Sequence, residues 1–221
     1  VWGSHSYNTN LPTSDVDYQG VYAAPTINIL SVDPPQESFV HSKPDIEAHE
    51  VAKFCRLLIK GNPSVIEMLF TEQLYWTTPE WEALRKIRLQ MLSCRVVRQY
   101  IGYAKGQLER LKNHTSLHTT GGEYNTKWAY HIVRLLDDAV KIVHGDIPIV
   151  WKEGAENEIL MSIRLGKYMP GDIIAIGNSY LASIDAQKPW PLPDEGNRQA
   201  LNKWLLRVRG YDLDIGESIN G

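Results

Sequence analysis

Two aspartates one residue apart, Asp15 and Asp17, stand inside a run that otherwise reads as a strand, "SDVDYQGVY". In an extended chain residues i and i+2 project to the same face. The spacing therefore predicts two carboxylates side by side, with Val16 turned toward a core. Like charges so placed repel, and loss of hydration adds to the cost. Such a face must stay open to water or hold something positive.

A hard divalent cation such as Mg²⁺ meets that need with carboxylate oxygens. Two such ions about 4 Å apart suit phosphoryl transfer, one activating the attacking oxygen and one steadying the leaving phosphates. A third acid normally completes the set. Asp45 and Glu47 repeat the i, i+2 parity, with His49 on the same face if that strand continues. Upstream, Gly3 would let the backbone approach a phosphate, and the Ser4 hydroxyl adds a donor. Taken alone, a D-x-D pair is most often a solvated strand end and a Gly-Ser pair carries little. The order Gly-Ser, paired acids, further acids is what gives the segment meaning.

Around these residues the chain changes period. Strand and turn signals fill the first 40 or so residues: "DVDYQGVYAA", "PTINIL" and "ESFVHS" read as strand pieces, and "DIEAHE" as a strand or a helix start. From about residue 49 the apolar spacing is helical. Val51, Phe54, Cys55 and Leu58 mark one helix, which Gly61 stops and which restarts after Pro63. Thr78-Pro79 predicts a helix start, and Ser93 opens a long helix to about Lys112. A polar loop spans 113–125. Trp128, Ile132, Leu135, Ala139 and Ile142 form the apolar stripe of a helix over 126–143. Two more helices are expected near 172–184 and 194–209. A small α/β front followed by a helical body follows, with the change near residue 85.

The motifs, taken in order, resemble a known family. "GSHSYNTNLPTSDVDYQGVY" resembles the pattern G-S-x-x-Y-G-x-x-x-P-x-S-D-x-D-x-x-G-V of nucleotidyltransferases in the DNA polymerase beta superfamily, in a branch associated with RNA repair. "EVAKFCRLLIKGNPSVIEMLF" looks like that branch's signature helix and N-P turn, and "YIGYAKGQLERL" and "KWAYHIVRLLDDA" look like its helical body. The likeness covers roughly residues 2 to 165 and fades beyond about 190.

The resemblance implies an α+β fold: a DNA polymerase beta-like mixed sheet with flanking helices over 1–85, its start incomplete, then a helical bundle over 86–221. It implies transfer of a nucleoside monophosphate from an NTP, such as ATP, to an acceptor hydroxyl, with two Mg²⁺ ions and release of pyrophosphate. An RNA end is the first expectation for the acceptor; a DNA end, a protein side chain or a small molecule are alternatives. By the same likeness Gly3 and Ser4 hold the triphosphate, Asp15 and Asp17 hold metal, and Asp45 is the third catalytic ligand, with Glu47 in reserve. The family's usual Gly is replaced by Asn8, a residue that tolerates positive φ.

On the helix over 126–143, Lys127, His131, Arg134 and Asp138 form a polar stripe. By itself that is a solvated face with weak ion pairs. The family's K..H..R helix makes Lys127 and Arg134 candidate nucleotide contacts, with His131 a hydrogen-bonding core residue or a general base. Arg95, Arg98, Lys105, Arg110 and Lys112, interleaved with Tyr100 and Tyr103, suit either a polyanion or an ordinary helix surface.

Composition narrows the remaining options. A net charge of −3 argues against a chain that coats nucleic acid over its whole surface. Two cysteines without CxxC spacing favour a reducing, cytoplasmic setting, and no apolar run is long enough to span a membrane. Two rival functions stand beside the enzyme: a non-catalytic nucleotide-binding sensor or toxin–antitoxin module, and a metal-dependent phosphohydrolase. The paired acids argue against the first and the lack of HD or HxH spacings against the second.

Overall fold

The computed structural model describes residues 1–114 and 124–211. The loop expected over 113–125 therefore lies largely outside the described residues. Among these, three strands form one mixed sheet: β1 (Asp17–Tyr22), β2 (Ser38–Ser42) and β3 (Asp45–Glu50), in the order β1-β3-β2. β3 runs parallel to β1 and antiparallel to β2, which it meets through a tight turn. Trp2 adds a single antiparallel bridge to Asp17.

"PTINIL" is not a strand. Pro25 sets the entry to a one-turn helix, α1 (Thr26–Ile29), and Asn28 and Ile29 donate to its carbonyl. β-branched residues at Thr26, Ile27 and Ile29 suggested extension, but proline at a helix N-terminus outweighs that weak preference.

The helical boundaries follow local chemistry. Glu50 caps α2 (Val51–Lys60), its side chain accepting from Ala52 N, and Gly61 ends the helix at φ 76°. A Cβ at Gly61 would meet the Val96 backbone at 2.9 Å, so glycine is required twice over. Asn62 and Pro63 then start α3 (Pro63–Met68), and Thr78 and Pro79 start α4 (Pro79–Lys86). The long α5 (Cys94–His114) packs against α6 (Thr126–Val143), which has the predicted bounds. α8 (Pro170–Ala186) and α9 (Arg198–Val208) match the last two expectations within a few residues.

Between them lies α7 (Gly154–Arg164), whose short, mixed sequence gave no clear period. It packs on α6 and ties the N-terminal loop to the bundle. Asn8 donates to Lys152 O at 3.0 Å, and Asn157 donates to Asn8 O.

One hydrophobic cluster runs from Tyr7 through α2, α5 and α6 to Trp204 on α9, passing through residue 85 without a break. The C-terminal end is clamped to the sheet. Arg209 pairs with Glu50 at 2.5 Å and donates to Ala24 O at 2.7 Å. Among the described residues no helix is long and apolar enough to cross a membrane.

Candidate active site

The parallel register sets Asp17 directly opposite Asp45 at the mouth of the sheet. Cross-strand partners share a face, so both carboxylates leave the sheet on the same side. β1 begins at Asp17, so Asp15 lies in the segment just before the strand. Val16, expected inside, is 40% exposed for the same reason. Asp15 is nonetheless close enough for its charge to act on Asp17.

Asp17 is half-buried, while Asp15 and Asp45 are exposed. The Asp17 carboxyl is held above its ordinary range, first by burial, then by the charge of Asp45, with Asp15 adding to the effect. Lys127 and His5 pull in the opposite direction. Thus acids from two strands and a cation from the start of α6 are near enough for their charges to act on Asp17. Among the described residues none of the three carboxylates takes part in an ion pair.

Glu47 sits opposite Gln19, two residues farther along β3, and His49 lies 3.7 Å from its carboxylate. His49 is itself buried and bound to Ser38 Oγ at 3.1 Å, and burial lowers its pKa. The pair belongs to the β2–β3 side of the sheet rather than to the mouth.

The segment ahead of β1 folds tightly over Asp17. Gly3 stands at φ 66°, and a Cβ there would collide with Asp17 Oδ2. The turn is held by Ser6, whose amide and hydroxyl both donate to Gly3 O at 3.2 and 2.9 Å, and by Thr9 N donating to Ser4 O at 2.9 Å. Asn8 adopts φ 56°, the conformation in which the family's glycine is at ease. Its side chain is anchored to Lys152 O, on the side of α7.

Arg134 is not at the cleft surface, where it was expected as a phosphate contact. It is 4% exposed and pairs with the fully buried Glu67 at 2.6 Å, while Tyr7 donates to the other Glu67 oxygen at 2.5 Å. Its guanidinium lies 4.0 Å from the centre of the Tyr7 ring. A desolvated arginine needs such partners, and Glu67 and Tyr7 leave it committed to the core. Asp138, farther along the same stripe, is fully buried against Lys152 at 2.7 Å. The stripe is therefore neither a solvated face nor a row of ligand contacts: Lys127 is exposed at the mouth, and Arg134 and Asp138 are internal. His131 lies between, and burial, reinforced by Arg134, Lys127 and Arg164, pushes its pKa down to about 3.

The basic row on α5 is partly paired within the protein. Arg95 pairs with Glu195 at 2.5 Å and Lys112 with Glu109 at 3.0 Å, and Tyr100 is fully buried.

Sequence reasoning missed Glu67, His5 and Arg164. Glu67 stands inside the "NPSVIEML" stretch, where a carboxylate on an apolar helix signals a buried cation partner. His5 and Arg164 had no comparable signal.

A small mixed sheet that sets acids on two neighbouring strands, flanked by helices, defines the DNA polymerase beta-like nucleotidyltransferase class. A family model described as RNA repair pathway DNA polymerase beta family (RlaP) matches residues 1–162, and the chain belongs to that family. No curated protein and no solved structure matches it.

Proposed function

We propose that the protein transfers a nucleoside monophosphate from an NTP to the hydroxyl of an RNA end, releasing pyrophosphate. The observation that carries this reading is the convergence of Asp15, Asp17 and Asp45 at the mouth of the sheet, unpaired and mutually repelling, with Lys127 beside them.

The donor set fits Mg²⁺ in chemistry. Hard carboxylate oxygens come from three residues, and the uncompensated charge at Asp17 is what a divalent cation relieves. Among the described residues no group of three or more His, Cys, Asp or Glu side chains is gathered to hold a metal ion, so the fit is one of donor chemistry and not of assembled geometry. Asp15, Asp17 and Asp45 would hold the metal, and Glu47, turned to His49, is the weaker choice. When bound, Mg²⁺ would neutralise the triphosphate and favour ionisation of the attacking hydroxyl.

The residues of the chain do the rest. Gly3 and Ser4 keep the N-terminal turn against Asp17, leaving the backbone bare where phosphate would lie. Lys127 offers a cation to the departing phosphates. The acceptor oxygen attacks the α-phosphorus in line, the bond to the β-phosphate oxygen breaks, and the hydroxyl proton passes to a carboxylate oxygen and on to water. His131, neutral at physiological pH, adds no charge to this path.

The test is transfer of label from each α-labelled NTP to RNA with Mg²⁺, in wild type and in Asp15→Asn/Asp17→Asn. Label transfer that survives in the double variant would sink the assignment. Nucleotide binding without transfer to RNA, DNA, protein or small-molecule acceptors would favour the sensor reading.

A further inference from the structure

Helix α7 ends on Arg164, two residues past the stretch matched by the family model. Its guanidinium carbon lies 5.6 Å from the centre of the Tyr130 ring. The Tyr130 hydroxyl meets Thr9 Oγ1 at 3.2 Å, and Thr9 in turn holds Ser4. Arg164 is thus joined through one ring and one threonine to the turn that covers Asp17. Lys127 approaches the same place from α6: its charge is felt at both Asp17 and His131, and that of Arg164 at both His131 and Tyr130.

Several half-buried or buried cations of this protein have carboxylate partners: Arg85, Arg134, Lys141, Lys152 and Arg209 are each within 4.0 Å of one. Among the described residues Lys127 and Arg164 have none. Arg164 is half-buried and rests on an aromatic face, an arrangement that orients a guanidinium without neutralising it. An oriented arginine linked through Tyr130 and Thr9 to the turn over Asp17, together with Lys127, whose charge acts on Asp17, makes a charge pattern that suits a polyphosphate, with metal at one end and a guanidinium at the other.

We propose that Arg164, with Lys127, binds the β- and γ-phosphates of the NTP, the part that leaves as pyrophosphate. The proposal rests on the nucleotidyl-transfer reading and adds a residue to it. The planar fork suits two oxygens of one phosphate, and Tyr130 backs the guanidinium on the opposite side. The phosphodiesters of an RNA acceptor present the same oxygen chemistry, so the test must separate the two.

The experiment is a competition titration of a fluorescent ATP analogue with ATP, AMP, inorganic tripolyphosphate and a short RNA lacking a 5′ triphosphate. It compares wild type, Arg164→Gln and Arg164→Lys in Mg²⁺. In Arg164→Gln, affinity for ATP and tripolyphosphate is expected to fall at least about tenfold, the loss of one charge-assisted contact. AMP and RNA affinities should be unchanged, and Arg164→Lys should be intermediate, a graded result that a merely unfolded variant would not give. Unchanged ATP affinity in Arg164→Gln, equal losses for ATP and AMP, or a loss confined to RNA would overturn the proposal. The two readings fail separately. Tripolyphosphate binding that depends on Arg164 in a protein that transfers nothing would remove the transferase reading alone. Normal transfer with unaltered ATP affinity in Arg164→Gln would remove Arg164 alone.

Discussion

At the mouth of the sheet, Asp15 and Asp45 face water and Asp17 is half-buried, and among the described residues no counter-charge is in contact with them. Inside the bundle, Glu67 and Asp138 are fully buried, and each is met by a cation at 2.6 or 2.7 Å. The same residue types are handled in opposite ways within one chain. Where the fold needs a charge, it encloses the charge and completes it. Where charge is left exposed and uncompensated, it stays available to something that arrives from outside, as the proposed reading requires. The contrast also separates the two cations of α6 that sequence likeness had grouped together: Arg134 belongs to the first kind, Lys127 to the second.

The largest expected effect lies in the interior. Arg134→Ala leaves Glu67 buried without its cation and should destabilise the protein by about 3–5 kcal/mol. Urea unfolding measures this, and Glu67→Leu/Arg134→Met should recover much of the loss because no charge is stranded. If Arg134→Ala instead unfolds like wild type, the interior pair is not structural and the contrast breaks.

Next comes the mouth. Asp15→Asn/Asp17→Asn should reduce transfer by roughly 10²–10³-fold or more, as expected when groups that stabilise a charged transition state are removed. The urea midpoint should hold or rise, because like-charge repulsion is relieved. A fall in stability comparable to that of Arg134→Ala would show that the acids are structural after all.

Gly3→Ala sharpens the comparison at a single atom. Positive φ alone costs about 1–2 kcal/mol for a residue with a Cβ, and the added methyl would press on Asp17. A modest fall in the urea midpoint together with weakened NTP affinity is expected; loss of stability with affinity intact would separate Gly3 from the site.

The smallest effect is a slope. His131 is held at about 3, below the usual 6.5, so the unfolded chain binds a proton there before the folded one does. Its neutral state favours the fold above about pH 6.5, and that advantage is lost progressively as pH falls toward 3. His131→Gln should flatten stability across this window, read from urea midpoints at successive pH values. An unchanged slope would mean that His131 takes up its proton freely and is not shielded.

Much of this was legible in the chain. Glycine stops, proline starts and the 3.6-residue stripe of α6 are local codes, and the structure follows them closely. The order of Gly3-Ser4, Asp15-x-Asp17 and Asp45 was enough to point to the mouth. What escaped has a common cause: a partner far away in sequence. Nothing near Arg134 announces Glu67, which lies 67 residues away. Nothing near Asn8 announces Lys152 and Asn157, which explain how asparagine serves in the family's glycine position by turning its amide toward α7. α1 was misread because β-branched residues spoke louder than Pro25, and α7 was not anticipated at all; within it the buried residues are Leu160 and Ile163.

The clamp of Arg209 on Glu50 and Ala24 has a consequence for how such genes shorten and lengthen. The family match ends at residue 162, yet α9 and Arg209 complete the cap of α2 and seal the exit of β1. A gene truncated at the limit of recognisable kinship would encode every acid of the mouth while stranding Glu50 among apolar neighbours. In this protein the segment beyond the family match is tied to the sheet through architecture rather than chemistry.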